Sequence, residues 1–149
     1  MNQANQMKLN LHQNISYTRE LPSPEKSCQT TFNRLWTLLE TLPVGSEGCI
    51  SCEAIMTDEI CIVNSISGFY NPVGDDAEIV QSIPAGTYLF QQLPFPPSDG
   101  EALMPTLNRF AISLDFNEER KSVLFIRLYK EGLFTVAIQF FAPIHTKEE

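Results

Sequence analysis

Cys49-Ile50-Ser51-Cys52 is the pattern in this sequence with the most obvious chemistry, a C-x-x-C pair. A structural zinc site needs four ligands, and no second C-x-x-C or His pair supplies the other two. The redox form of the motif sits where a strand meets a helix N-terminus. Here the flanking residues read as a strand, which turns positions i and i+3 to opposite faces. The two histidines, His12 in the first predicted strand and His145 in the tail, complete no Ser-His-Asp or Cys-His set. Glycine occurs 7 times, without a P-loop or dinucleotide fingerprint. Asp58-Glu59 and Asp75-Asp76 are loop acids without metal-ligand spacing. The sequence therefore predicts no catalytic set, no metal and no cofactor. It leaves two charges within otherwise apolar strands, Arg127 and Glu53, with aromatic residues around the first.

The positions of these residues depend on the elements that carry them. The chain has 149 residues, 43% of them hydrophobic, enough for one packed domain or two small halves sharing a core. Its net charge is -8, from 18 acidic and 10 basic residues, which argues against direct nucleic-acid binding. The start, Met1 to Met7, is polar and no run approaches ~18 apolar residues. The expectation is a cytoplasmic protein with no membrane contact, whose four cysteines (Cys28, Cys49, Cys52, Cys61) are free thiols.

Alternation of Leu9, Leu11, Ile15 and Tyr17 predicts one strand over Lys8 to Glu20. Ser23-Pro24-Glu25 then offers a capping hydroxyl, a proline for the first turn and an acid beside the positive helix end. A helix to about Leu42 follows, with Phe32, Leu35, Trp36, Leu39 and Leu42 on its buried stripe, so Trp36 is core. A hairpin, Cys49 to Met56 and Ile60 to Phe69, completes the first half. The second half repeats the order. It has a strand over Gln81 to Gln92 bent at Pro84-Ala85-Gly86, a helix over about Gly100 to Leu114, and a hairpin of Ser122 to Lys130 and Leu133 to Phe141. Three local matches recur in chain order. Leu21-Pro22 matches Leu93-Pro94, Thr31-Phe32-Asn33-Arg34 matches Thr106-Leu107-Asn108-Arg109, and Phe69-Tyr70-Asn71-Pro72 matches Phe140-Phe141-Ala142-Pro143. The reading is an α+β domain over 1–149, a duplicated β-α-β-β unit with halves at about 8–73 and 81–144. The units form an antiparallel sheet with two helices on one face, related by a pseudo-twofold axis.

Strand alternation separates two faces. Leu124, Ile126 and Leu128 are aliphatic core, as are Ile50 and Cys52; Phe134, Val136, Ile138 and Phe140 form the matching face of the last strand. The opposite face mixes Glu53 and Cys49 with Phe125, Arg127, Tyr129 and Phe141. A mixed surface of that kind suits a ligand site. It is also the composition of a solvated sheet face. The repeat sets Glu53 near the equivalent of Arg127, where the two would share a groove or pair with each other.

Ser82-Ile83-Pro84-Ala85-Gly86-Thr87-Tyr88-Leu89-Phe90 is similar to the "IPAG-x-Y-x-x-F" strand of the GyrI-like effector-binding family, and Ile138 to Ile144 resembles its "I-x-I-x-x-P-V" ending. The resemblance spans about residues 8 to 144. It implies a groove between the halves that binds amphipathic, often aromatic or cationic compounds. The family's ligand-contacting Glu, in "E-x-Y", falls on Arg127 of Arg127-Leu128-Tyr129, a base for an acid. That substitution favours an anionic or neutral ligand. The expected function is non-catalytic binding of a small amphipathic or aromatic molecule, with Glu53, Tyr88, Phe125, Arg127, Tyr129 and Phe141 as contacts. The alternatives are a protein-interaction module that inhibits a larger enzyme such as DNA gyrase, and a hydrolase of reactive small molecules.

Overall fold

The computed structural model describes residues 6–21, 28–56, 61–74, 76–93, 121–133 and 136–143. Among these the elements run β1 (Gln6–Leu11), β2 (Ile15–Tyr17), β3 (Arg19–Glu20), α1 (Cys28–Glu40), β4 (Glu47–Met56), β5 (Cys61–Asn71), β6 (Gln81–Ile83), β7 (Gly86–Gln92), β8 (Lys121–Lys130) and β9 (Val136–Pro143). Seven strands form one sheet, in the order β1-β7-β9-β8-β4-β5-β3, and β2 pairs with β6 in a separate ribbon. All pairings are antiparallel. The architecture is α+β and mostly sheet. The predicted helix over Gly100 to Leu114, the cap at Ser23 and the turn at Thr57 to Glu59 lie outside the described residues.

Helix α1 presents Phe32, Leu35 and Leu39 inward at helical spacing, with Trp36 and Leu42 packed at the margin. It packs on β4, β5 and β8, and its stripe joins Leu21, Ile50, Cys52, Ile66, Leu124, Ile126, Leu128, Val136, Ile138 and Phe140 in one core. Gly68 makes the close approach possible: a Cβ there would lie 3.0 Å from Leu21 Cδ2 and 3.1 Å from Thr31 Cγ2. The helix ends without a basic residue in its last turn. Its terminal carbonyls are met instead by Lys130, at the end of β8. This lysine is only 5% exposed. Its Nζ donates to the carbonyl oxygens of Leu39 (2.9 Å), Glu40 (3.3 Å) and Leu42 (2.6 Å). The cation thus sits at the negative end of the helix dipole.

Two strands predicted as continuous are divided. Lys8 to Glu20 is not one strand but three pieces, each with a different partner: β1 pairs with β7, β2 with β6 and β3 with β5. Because β1 and β3 lie at opposite ends of the sheet, the chain between them must cross its face, and β2 is that crossing. The polar His12-Gln13-Asn14 step makes the break, and Asn14 Oδ1 accepts a hydrogen bond from Ala85 N at 2.8 Å. Gln81 to Gln92 divides at Pro84-Ala85 because proline cannot donate to a ladder and Gly86 adopts φ +152. Leu133, the expected start of the last strand, lies outside the ladder and is 73% exposed.

Alternation along β4, β8 and β9 holds as predicted, so the face away from α1 collects Cys49, Phe125 and Phe141. The β2–β6 ribbon lies on this face. Tyr17 and Ile83 from the ribbon join Cys49, Phe69, Tyr88, Phe90, Phe125 and Phe141 in a second buried cluster. An expected open surface is therefore in large part a second core.

Candidate functional site

Four of the six residues singled out from the sequence belong to, or border, this second cluster. Tyr88, Phe125 and Phe141 are buried together, with ring centroids 5.6 Å apart for Tyr88–Phe141 and 6.5 Å for Tyr88–Phe125, both edge to face. Phe90, which the sequence reading missed as a contact, stands 5.1 Å from Phe141. The Tyr88 hydroxyl donates to the Pro84 carbonyl, which ties β7 to the ribbon. Arg127 sits at the edge of the cluster, its neighbours in register being Cys49 on β4 and Gln139 on β9.

Arg127 is paired, but with Glu47 rather than Glu53. Its Nε donates to Glu47 Oε1 at 2.9 Å, with the side chains 19% and 21% exposed. Register explains the choice. Glu47 lies opposite Tyr129 on β8, diagonal to Arg127, whereas Glu53 lies opposite Val123. Glu53 is half-buried and four residues from Cys49 along β4. At ~3.3 Å per residue it is about 13 Å from Arg127's own register position. It engages other groups.

The pair belongs to a row of polar side chains across the sheet. Arg127 Nη1 donates to Gln139 Oε1 at 2.8 Å, and Gln139 Nε2 to Gln92 Oε1 at 2.9 Å. The Tyr17 hydroxyl, from the ribbon, donates to Glu47 Oε1 at 3.5 Å. Beneath the guanidinium lies the half-exposed Tyr129 ring, 5.1 Å from the Arg127 Cζ to the centroid, a cation–π contact. Burial works against the Arg127 charge, but the Glu47 carboxylate outweighs it and holds the guanidinium pKa above its ordinary value. Burial, with Cys49 and Glu47 adding to it, raises the Tyr17 hydroxyl well above the usual tyrosine range. Burial likewise pushes the Cys49 thiol far up. A thiol so held is not a nucleophile near neutrality.

Cys49 and Cys52 are both free and buried, on opposite faces: Cys49 in the aromatic cluster, Cys52 in the helix-side core with its thiol directed to the Leu124 carbonyl. They cannot form one C-x-x-C site. No group of three or more His, Cys, Asp or Glu side chains converges as a metal site among the described residues. No helix among them is long and apolar enough to cross a membrane.

A concavity lies on the other side of the sheet. It is a groove of about 610 Å³ between α1 and the β3–β5 margin, with Leu21, Leu38 and Tyr70 as apolar wall and Asn33, Thr37 and Thr41 along the helix. None of the six sequence-predicted residues lines it. No family model, no curated protein and no solved structure matches the chain.

Proposed function

We propose that this chain is a non-catalytic, cytoplasmic binding protein for a small amphipathic molecule, of the effector-binding type that its strand motifs resemble. One observation carries the reading. A largely buried ion pair, Arg127 with Glu47, stands over the Tyr129 ring on the β4–β8 seam, at the margin of a buried aromatic cluster. Charged groups in such a setting cost desolvation that a hydrophobic pair would avoid, so they suggest a retained binding role. The contacts are then Arg127, Glu47, Tyr129 and Gln139 at the polar end. Tyr88, Phe125 and Phe141, buried in the second cluster, do not face the ligand but hold these contacts in place from behind.

The duplication is part of this proposal. The strand order β3-β5-β4 is followed across the seam by β8-β9-β7, the same succession reversed. Equivalent exits support it: Leu21 N donates to Gly68 O at 2.8 Å, and Leu93 N to Ile138 O at 3.0 Å. On this reading the seam between β4 and β8 is the junction of halves 8–73 and 81–144, and a ligand there touches both.

A thermal-shift panel of cationic, anionic and neutral amphipaths tests the reading. A binder at 100 times its Kd stabilises the fold by about 2.7 kcal/mol. Arg127→Gln should lose that response, measured against the variant's own unliganded melt. A panel without any stabilising compound, or a hit indifferent to Arg127→Gln, would refute it. A second reading, an interaction module that inhibits a larger enzyme, is favoured by the groove beside α1 and the net charge of -8. Co-purification of a partner lost on Leu38→Asp would support that reading.

A further inference from the structure

The ion pair also constrains what the seam can hold, if the binding reading above is correct. We infer that the Glu47–Arg127 pair reads the α-ammonium and α-carboxylate of an amino acid with an aromatic side chain. The contact is end-on, through Arg127 Nε and Glu47 Oε1 alone. Glu47 Oε2 has no partner among the described residues, and no buried side-chain oxygen or nitrogen among them lacks one, so Oε2 is open to solvent. Arg127 commits Nε to Glu47 and Nη1 to Gln139, and the Tyr17 hydroxyl also lies against its guanidinium. A guanidinium carries five N–H donors, which leaves capacity for a carboxylate.

The charges decide the class. Because Glu47 neutralises Arg127, the pair favours neither a net anion nor a net cation. A lone carboxylate that meets Arg127 also meets the Glu47 carboxylate, and a lone ammonium that meets Glu47 also meets the guanidinium. A molecule that carries both charges on one carbon satisfies both groups. It completes a four-charge alternation across the pair. The apolar requirement follows from Tyr129, whose half-buried ring lies under the guanidinium, so that a side chain held at the pair lies beside an aromatic ring.

Calorimetry with three probes sharing one ring system tests this: tryptophan, tryptamine and indole-3-propionate. Wild-type protein should bind tryptophan about tenfold tighter than either singly charged analogue, the worth of one charge-assisted hydrogen bond. Glu47→Gln should shift the preference to indole-3-propionate, and Arg127→Gln to tryptamine. Equal or tighter wild-type binding of either analogue overturns the inference without any variant having to fold. So does a preference that both substitutions leave unchanged. If all three probes fail but another amphipath stabilises the protein in an Arg127-dependent way, the amino-acid inference falls and the binding site stands. If no amphipath binds, the binding reading falls and takes the inference with it.

Discussion

Replacing Lys130 with methionine should cost about 2–3 kcal/mol of stability, although residue 130 lies in a strand and its partners in a helix. The ammonium makes three hydrogen bonds to the carbonyls of Leu39, Glu40 and Leu42, at 2.9, 3.3 and 2.6 Å. Each charge-assisted bond is worth roughly 1.5–3 kcal/mol. Shared on one donor they do not add, and methionine recovers the several kcal/mol spent on stripping water from the buried ammonium. What remains is the unpaired state of the terminal carbonyls and the lost charge–dipole attraction, up to about 2 kcal/mol in partly buried geometry. Methionine preserves the stem, so packing in the surrounding core is nearly constant. For a domain of this size the loss corresponds to a fall in Tm of roughly 4–12 °C. Thermal melts by circular dichroism measure it, and Lys8→Met, at an exposed edge position, serves as the control. A change for Lys130→Met within about 0.5 kcal/mol of wild type, the range of ordinary surface substitutions, would refute the reasoning.

Stability should also fall at alkaline pH. Tyr17 and Cys49 both have raised pKa values in the fold, so their contribution is complete below the unfolded-state values and is lost as pH rises above them. Urea melts should be flat from pH 7 to about 8.5 and then lose up to ~1.4 kcal/mol per pH unit for each group; a flat profile to pH 11 would contradict the burial of both. Peptide-level mass spectrometry after a short pulse of alkylating reagent at pH 7.5 should find Cys49 and Cys52 unmodified until denaturant is added; rapid native labelling would contradict the two-core arrangement. Gly68→Ala should destabilise by about 1–3 kcal/mol, because its Cβ would press on Leu21 and Thr31. A neutral effect would show that Leu21 can move aside.

The sequence was most legible where neighbours in the chain share one environment. Along β8, alternation alone assigns Leu124, Ile126 and Leu128 to one face and Phe125 and Arg127 to the other, because a strand's side-chain period is fixed. The α1 stripe is legible for the same reason. Alternation does not record a change of partner. Leu9, Leu11, Ile15 and Tyr17 keep one pattern while the backbone passes from β7 to β6 to β5, so the crossing over the sheet and the second core went unread. The partner of Arg127 depended on the β4–β8 register, which sets Glu47 diagonal to it and leaves Glu53 well away. That register is a long-range property, and a repeat alignment alone pointed to the wrong acid. Lys130 shows the same limit: it reads as an ordinary strand end, yet it caps a helix 88 to 91 residues away in the chain. The lack of a base in the last turn of α1 is legible and calls for a donor from elsewhere, but nothing local marks Lys130 as that donor.

The central claim is that ligand binds on the β4–β8 seam, on the face away from α1. Titrating a stabilising compound into isotope-labelled protein and following backbone and arginine Nε resonances tests it most directly. The largest shifts should fall on Glu47, Arg127, Tyr129 and Gln139, with the Arg127 Nε–H signal among the first to move. Shifts confined to Leu21, Asn33, Leu38 and Tyr70, in the groove beside α1, would contradict it.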